Sequence, residues 1–298
     1  MPDATVPPRI ACVTSTRLPE LCEDDQPFLD ELRLRGARAE PVVWDDPEVP
    51  WAEYDGVVVR SPWDYPDRPA EFLRWYDRVA SVTRIHNSPA AVRGNQHKGY
   101  LADLWKADAP VIPTVVVDDP SEAVAVARAH KWDQAVLKPA TGLGGRRVTL
   151  LTASGDGPPP VPHGPDGAQW CVQPFLPRIR EEGELSLVYI DGRPSHAVLK
   201  QPSGRDIRVH EGHGGRHMPM EPTAELVDAG DAVLAATGTR DELFARVDVI
   251  RDHRGRLLLC ELDVTSPCLY FCHRPQAAGD LAAATVARAT VRAGATAG

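Results

Sequence analysis

Residues 136–149, VLKPATGLGGRRVT, constrain most tightly what this chain can fold into. The stretch starts as an apolar run, reaches Lys138-Pro139, breaks into Gly142, Gly144 and Gly145, and resumes at Val148-Thr149. That order reads as strand, glycine loop, strand. Glycines free the backbone and let main-chain N–H groups approach a ligand closely. A lysine just before such a loop is a point charge suited to phosphate. No Gly-Lys-Ser/Thr follows the glycines and no Gly-x-Gly-x-x-Gly is present, so neither common nucleotide loop applies. Alone, the segment fits a phosphate lid or a hairpin with a glycine-rich turn.

The rest of the chain narrows the choice. Its 298 residues allow two or three packed subdomains. Hydrophobic residues at 43% and charged residues at 25% are ordinary for a globular protein. A net charge of −9 without a basic cluster argues against nucleic acid as a partner. No apolar run approaches a membrane span, and residues 1–8 lack the pattern of a signal peptide. Six cysteines without a CxxC pair read as reduced thiols, which predicts a cytoplasmic protein. Residues 155–167, GDGPPPVPHGPDG, read as a surface loop between strands.

Taken in order, residues 9–14, 39–44 and 54–60 read as strands, with a helix over 25–35 between the first two. This alternation predicts a small α/β domain with a parallel sheet, whose ligands sit beyond the carboxyl ends of the strands. Ser15 and the segment Arg60-Ser61-Pro62-Trp63-Asp64-Tyr65 occupy that place. Arg60 can fork a carboxylate, Asp64 can accept from an amine, and Trp63 and Tyr65 offer flat walls; a capped loop with its aromatics in the core is the other reading. A helix follows over 70–79. Lys98 falls in a further helical stretch, then come a strand over 111–117, a helix over 121–130 and the glycine hairpin. Strands at 170–175, 185–190 and 195–200, a polar glycine-rich stretch at 201–215, a helix at 224–238, strands at 244–251 and 256–262, and a helix from about 280 complete the chain.

The joint order of these features resembles the ATP-grasp superfamily of carboxylate ligases, closest to glutathione synthetase and the RimK-type ligases. The features are Lys98, the lysine of VLKP, the glycine loop, QPFLP, the acidic patch Glu181-Glu182-Gly183-Glu184, the arginine of RDIRVHEGHGG, Asp248 in RVDVI and Glu261-Leu262-Asp263. The resemblance covers roughly 85–275. It implies two α+β subdomains clasping ATP behind a small Rossmann-like α/β domain. The division expected is 1–95 for the substrate domain, 96–175 for the central subdomain with the glycine lid, and 176–298 for the C-terminal subdomain with the metal site.

The resemblance also implies roles. Lys98 and Lys138 bracket the ATP phosphates under Gly142, Gly144 and Gly145. Gln173, Pro174, Phe175 and Leu176 line the adenine, and Glu184 holds the ribose with Glu181 and Glu182 as competitors. Asp248, Glu261 and Asp263 bind Mg²⁺, two ions being expected. Strand alternation puts Glu261 and Asp263 on one face, as three oxygen ligands at one point require. Arg208 and Lys200 face the transferred γ-phosphate and the acyl phosphate. Ser15, Arg60, Trp63, Asp64 and Arg205 contact a small amino-acid-like carboxylate. Two positions depart from the family pattern: Asp263 replaces the usual asparagine, and His210 stands where an asparagine follows the arginine. His210, His213 and His217 lack a nearby cysteine pair and argue against zinc. Cys268, Cys272 and His273 read as packing or pocket residues.

RSPWDY, the aromatic helix with Phe72, Trp75 and Tyr76, and the ELDVTSPCLYF ending resemble a subgroup of the superfamily, the cyclo-ligases that close O-ureido-D-serine to D-cycloserine. This implies an acyl phosphate attacked by the substrate's own nitrogen. The alternative is an intermolecular amino-acid or peptide ligase of RimK or glutathione synthetase type. A nucleotide sensor or a kinase of the same fold are rivals. A homo-oligomer is compatible with the sequence.

Overall fold

Alternating apolar residues decide the first sheet. In the computed structural model, which describes residues 6–154 and 167–290, β1 (Arg9–Thr14), α1 (Gln26–Leu34), β2 (Arg38–Val43), β3 (Gly56–Ser61), α2 (Pro69–Val82) and β4 (Ile85–His86) form a parallel sheet of order β2-β1-β3-β4. Ile10, Cys12 and Val58 point to one face, against Phe28, Leu29 and Leu32 of α1. Ala11, Val13, Val57 and Val59 point to the other, against Phe72, Trp75, Tyr76 and Val79 of α2. Both faces are covered, as a parallel sheet requires. Tyr65 stacks on Phe72 with ring centroids 4.7 Å apart and is buried, so this aromatic belongs to the core rather than to a ligand wall.

The next stretch departs from the single helix expected around Lys98. α3 (Pro89–Asn95), capped by the Ser88 side chain, ends before it, and α4 (Tyr100–Lys106) begins after it. Lys98 sits in the break, where its backbone N–H donates to the Ala140 carbonyl at 2.7 Å. β5 (Val115–Val117), α5 (Ala123–Ala129), β6 (Gln134–Pro139), β7 (Thr149–Thr152) and β8 (Trp170–Pro174) build an antiparallel sheet of order β5-β8-β6-β7. The strand expected over 111–117 is shorter, because Pro113 interrupts it; Val111 makes a lone bridge to Leu259 instead. The low-complexity loop at 155–167 lies, apart from Gly167, outside the described residues.

α6 (Arg178–Glu181), β9 (Glu184–Ile190), β10 (Arg193–Gln201), β11 (Arg216–Met220), α7 (Ala224–Thr237), β12 (Phe244–Arg251) and β13 (Leu257–Asp263) follow. The strands pair antiparallel in the order β11-β10-β9-β12-β13. Gly183 enters β9 at φ +83°, and a Cβ there would lie 2.4 Å from the Lys200 carbonyl oxygen, so only glycine fits.

α8 (Pro275–Thr290) starts earlier than expected and packs on α1. Its Ala277, Ala278, Leu281 and Ala282 share one core with Phe28 and Leu32 and with Val188, Ile190 and Phe244 of the five-stranded sheet. The last helix therefore ties the first sheet to the third. Asn87 adds a polar stitch: its side chain donates to the Phe244 and Val264 carbonyls at 2.7 and 2.8 Å and accepts from the Leu243 N–H at 2.7 Å. No helix among the described residues is long and apolar enough to cross a membrane.

Candidate active site

The five-stranded sheet lays its polar residues in one line. His217 pairs with Lys200, Lys200 with Glu184, Ser186 with Asp248, Asp248 with Glu261, and Arg246 with Asp263. Directly opposed residues share a face. All of these but the buried Ser186 floor a cavity of about 580 Å³, roofed by the glycine loop and by 207–213.

Cations and carboxylates alternate along this floor. Lys200 Nζ contacts Glu184 and lies 3.2 Å from Asp248 Oδ2. Arg246 grips Asp248 at 2.9 Å and reaches Asp263 at 4.0 Å. Ser186 donates to Asp248 Oδ1 at 2.6 Å, and Lys98 Nζ stands 3.0 Å from Glu261 Oε1. Lys138 Nζ donates to the Cys260 carbonyl at 3.4 Å. Burial alone raises each carboxyl. At Asp248 the charges of Arg246 and Lys200 outweigh it, and at Glu261 those of Lys98 and Lys138 do, so both are held below the ordinary range. At Glu184 and Asp263 burial wins and both sit above it. Asp248, Glu261 and Asp263 offer oxygen atoms only, on two adjacent strands, which fits a hard cation such as Mg²⁺. The lysines and Arg246 now balance that charge.

The glycine loop is tied at both ends. Lys98 Nζ donates to the Gly142 carbonyl at 2.6 Å, and the His213 ring contacts the Gly144 carbonyl at 3.1 Å. Gly144 and Gly145 take φ of +68° and +67°, and a Cβ on Gly145 would meet the His213 ring at 3.3 Å. His210 lies opposite Gly144. These two histidines thus pack on the loop. Arg208 lines the cavity too, with its guanidinium held 2.7 Å from its neighbour Asp206.

Gln173, Pro174, Phe175 and Leu176 line the apolar end, facing Ile112, Val136, Val148 and Ile250. The Phe175 N–H is given to the Gln134 carbonyl at 3.0 Å and Pro174 has none, leaving the Leu176 N–H as the next donor along this edge. Glu184 lines the cavity, whereas Glu181 is exposed on α6 outside it, because the short helix turns that side chain away.

Most of the expected substrate contacts are corrected by the packing. Arg60 is fully buried: it pairs with Asp25 at 2.8 Å, donates to the Pro267 carbonyl at 2.9 Å and lies over the Phe244 ring. Asp64 is spent on Trp44 Nε1 at 3.0 Å and Arg68 at 2.8 Å. Ser15 is buried, and Arg205 is exposed outside the cavity lining. Only Trp63 reaches the cavity, its Nε1 donating to the Ser266 carbonyl at 3.0 Å. Arg246 and Tyr270 line this end and Ser186 is bonded to Asp248 beneath it; the sequence singles out none of the three. The i, i+2 spacing of Arg246 and Asp248 on one strand face was the available signal.

A nucleotide-sized cleft between two antiparallel sheets, with a glycine lid over lysines and an acidic strand pair, defines a class. The chain belongs to the ATP-grasp family and is an ATP-dependent ligase: the ATP-grasp domain of prokaryotic glutathione synthetase matches residues 104–272. Its first sheet is of a narrower type, since the N-terminal domain of D-cycloserine synthetase DcsG matches residues 10–87. The chain is similar to the cycloserine biosynthesis protein DcsG of Streptomyces lavendulae, 31% identical over 275 residues that cover 87% of this chain and 92% of that protein. The crystal structure of D-cycloserine synthetase DcsG superposes with a TM-score of 0.81 at 28% identity, covering 94% of this chain and 99% of that one. Glutathione synthetase of Agrobacterium fabrum is 28% identical over 64% of this chain and 57% of its own. The fold is shared with ATP-grasp ligase PsnB, whose structure with Mg and ADP superposes with a TM-score of 0.64 at 20% identity over 94% of this chain and 98% of that one. ATP and Mg²⁺ are the cofactors of this fold.

Proposed function

We propose that this protein is the cyclo-ligase that closes O-ureido-D-serine to D-cycloserine, in the cytoplasm. The observation that carries the reading is the likeness to DcsG, which runs through the N-terminal sheet as well as the ATP-grasp sheets. Six free thiols fit a reducing compartment.

On this reading Lys98 and Lys138 hold the β- and γ-phosphates beneath Gly142, Gly144 and Gly145. Leu176 N–H and the Phe175 ring take the adenine, and Glu184 the ribose. Asp248, Glu261 and Asp263 hold Mg²⁺, which when bound neutralises the polyphosphate. Lys138, Lys200 and Arg246 line the cavity and Lys98 pairs with Glu261, against Glu184, Asp248, Glu261 and Asp263, a balanced set. Two Mg²⁺ ions would keep that balance when ATP enters with four negative charges.

Catalysis is positioning plus charge neutralisation. Lys200 and Arg208 face the phosphoryl group as it passes to the substrate carboxylate, giving an acyl phosphate and ADP. The ureido nitrogen next to the oxygen attacks the acyl carbon; the C–N bond forms, the C–O bond to phosphate breaks, and phosphate leaves. Water removes the carbamoyl group as CO₂ and ammonia. Trp63, Ser266 and Tyr270 close the substrate end and limit it to a small molecule. The glutathione synthetase match over 104–272 supports a second reading, an intermolecular amino-acid ligase. Phosphate release with O-ureido-D-serine as sole amino acid tests the first; release only on addition of a second amino acid favours the second.

A further inference from the structure

Behind the substrate end of the cavity, His217 on β11 meets the turn that follows Tyr270. His217 Nδ1 lies 2.5 Å from His273 Nε2, and the other ring nitrogen of His217 contacts the Glu211 carboxylate. A ring nitrogen of His217, one of His273 and the Cys272 sulfur all lie within 4.8 Å of one another. We infer that His217, Cys272 and His273 form a second metal site, selective for Zn²⁺ or a similar borderline ion and distinct from the carboxylate site on β12 and β13.

The chemistry of the donors supports this. Two imidazoles and a thiolate suit zinc, cobalt or copper and not magnesium. Ligand atoms around a tetrahedral zinc lie roughly 3.3–3.6 Å apart, so the two ring nitrogens, now 2.5 Å apart, must part by about 1 Å to take an ion. Facing each other, the two ring nitrogens share one proton, which a bound cation would displace. Glu211 stands where a metal-bound histidine places its carboxylate partner, on the nitrogen away from the ion. The turn is held from outside: the Cys272 N–H donates to Asp24 Oδ1 at 3.1 Å, the His273 N–H to the Tyr270 carbonyl at 3.0 Å, and Leu269 and Phe271 are buried in the core. Three protein ligands leave a fourth position open, the pattern of zinc sites that meet a substrate. His217 and Glu211 line the cavity, so an ion here borders the substrate end.

The test uses the full chain, reduced with a non-chelating phosphine, stripped of metal and saturated with Mg²⁺ and ADP so that the carboxylate site is engaged. Co²⁺ is titrated and followed by its thiolate charge-transfer absorption, then displaced with Zn²⁺. One equivalent should bind with that band. Cys272→Ser should abolish the band, His273→Ala should weaken Co²⁺ binding by more than Glu211→Gln does, and Glu211→Gln should weaken it about tenfold. Melting curves with Mg²⁺ and ADP check that each variant is folded. No charge-transfer band in the unmodified protein, or a band that persists in folded Cys272→Ser, would overturn the assignment. Both outcomes are independent of whether the protein makes cycloserine.

Discussion

Arg246 and Asp248 lie two residues apart on β12 and form a two-pronged ion pair, with the Arg246 NH2 2.9 Å and its Nε 3.0–3.2 Å from the carboxylate oxygens. The pair sets the charge of a candidate metal ligand from within its own strand. Replacing Arg246 with methionine leaves buried Asp248 with Lys200 as its one remaining cation, 3.2 Å away, and costs up to about 3–5 kcal/mol. Urea unfolding should show that loss for Arg246→Met, and a much smaller one for the double variant Arg246→Met with Asp248→Leu. Equal losses would mean the pair is not the source.

Glu261→Gln keeps volume and removes charge beside Lys98. The fold should survive, with a melting temperature within a few degrees, while turnover falls at least about a hundredfold, as expected for losing several kcal/mol of metal-borne stabilisation. Near-normal phosphate release would contradict the assignment of Glu261 to Mg²⁺.

Lys138 is buried, and burial works to lower its pKa, yet Cys260 and Glu261 keep it raised and charged. Lys138→Ala should weaken ATP binding by about 2 kcal/mol, roughly thirtyfold in Kd by calorimetry. Unchanged binding would make it a structural lysine.

His86 is lowered from 6.5 to about 4 by burial, with help from the charges of Arg288 and Arg84. The unfolded chain therefore takes up this proton first as pH falls. The native state is favoured fully above about 6.5 and loses that advantage between 6.5 and 4, by on the order of 3 kcal/mol. Unfolding midpoints of His86→Leu should fall less over that window than those of the unmodified protein. Parallel curves would remove His86 as the cause.

The glycine hairpin and the β12–β13 acidic pair were legible in the sequence because their signals are local: a lysine before glycines, and carboxylates every second residue on a strand. Lys138 and Glu261 indeed face one cavity. The sequence leaves Arg60 and Asp64 undecided between ligand contact and a packed loop because their partners are remote. Asp25 lies thirty-five residues before Arg60, at the start of α1, and Trp44 just past β2, and neither pairing leaves a trace in spacing. The same holds for His213, whose contact with Gly144 spans sixty-nine residues. Cys272 and His273 lie more than fifty residues from His217, so their meeting leaves no trace in spacing either.

An intramolecular nucleophile needs no second amino acid. The protein is incubated with ATP, Mg²⁺ and O-ureido-D-serine alone, and ADP and cycloserine are quantified together by mass spectrometry. One cycloserine per ADP is expected. ADP without cycloserine, or products that appear only when another amine is supplied, would contradict it.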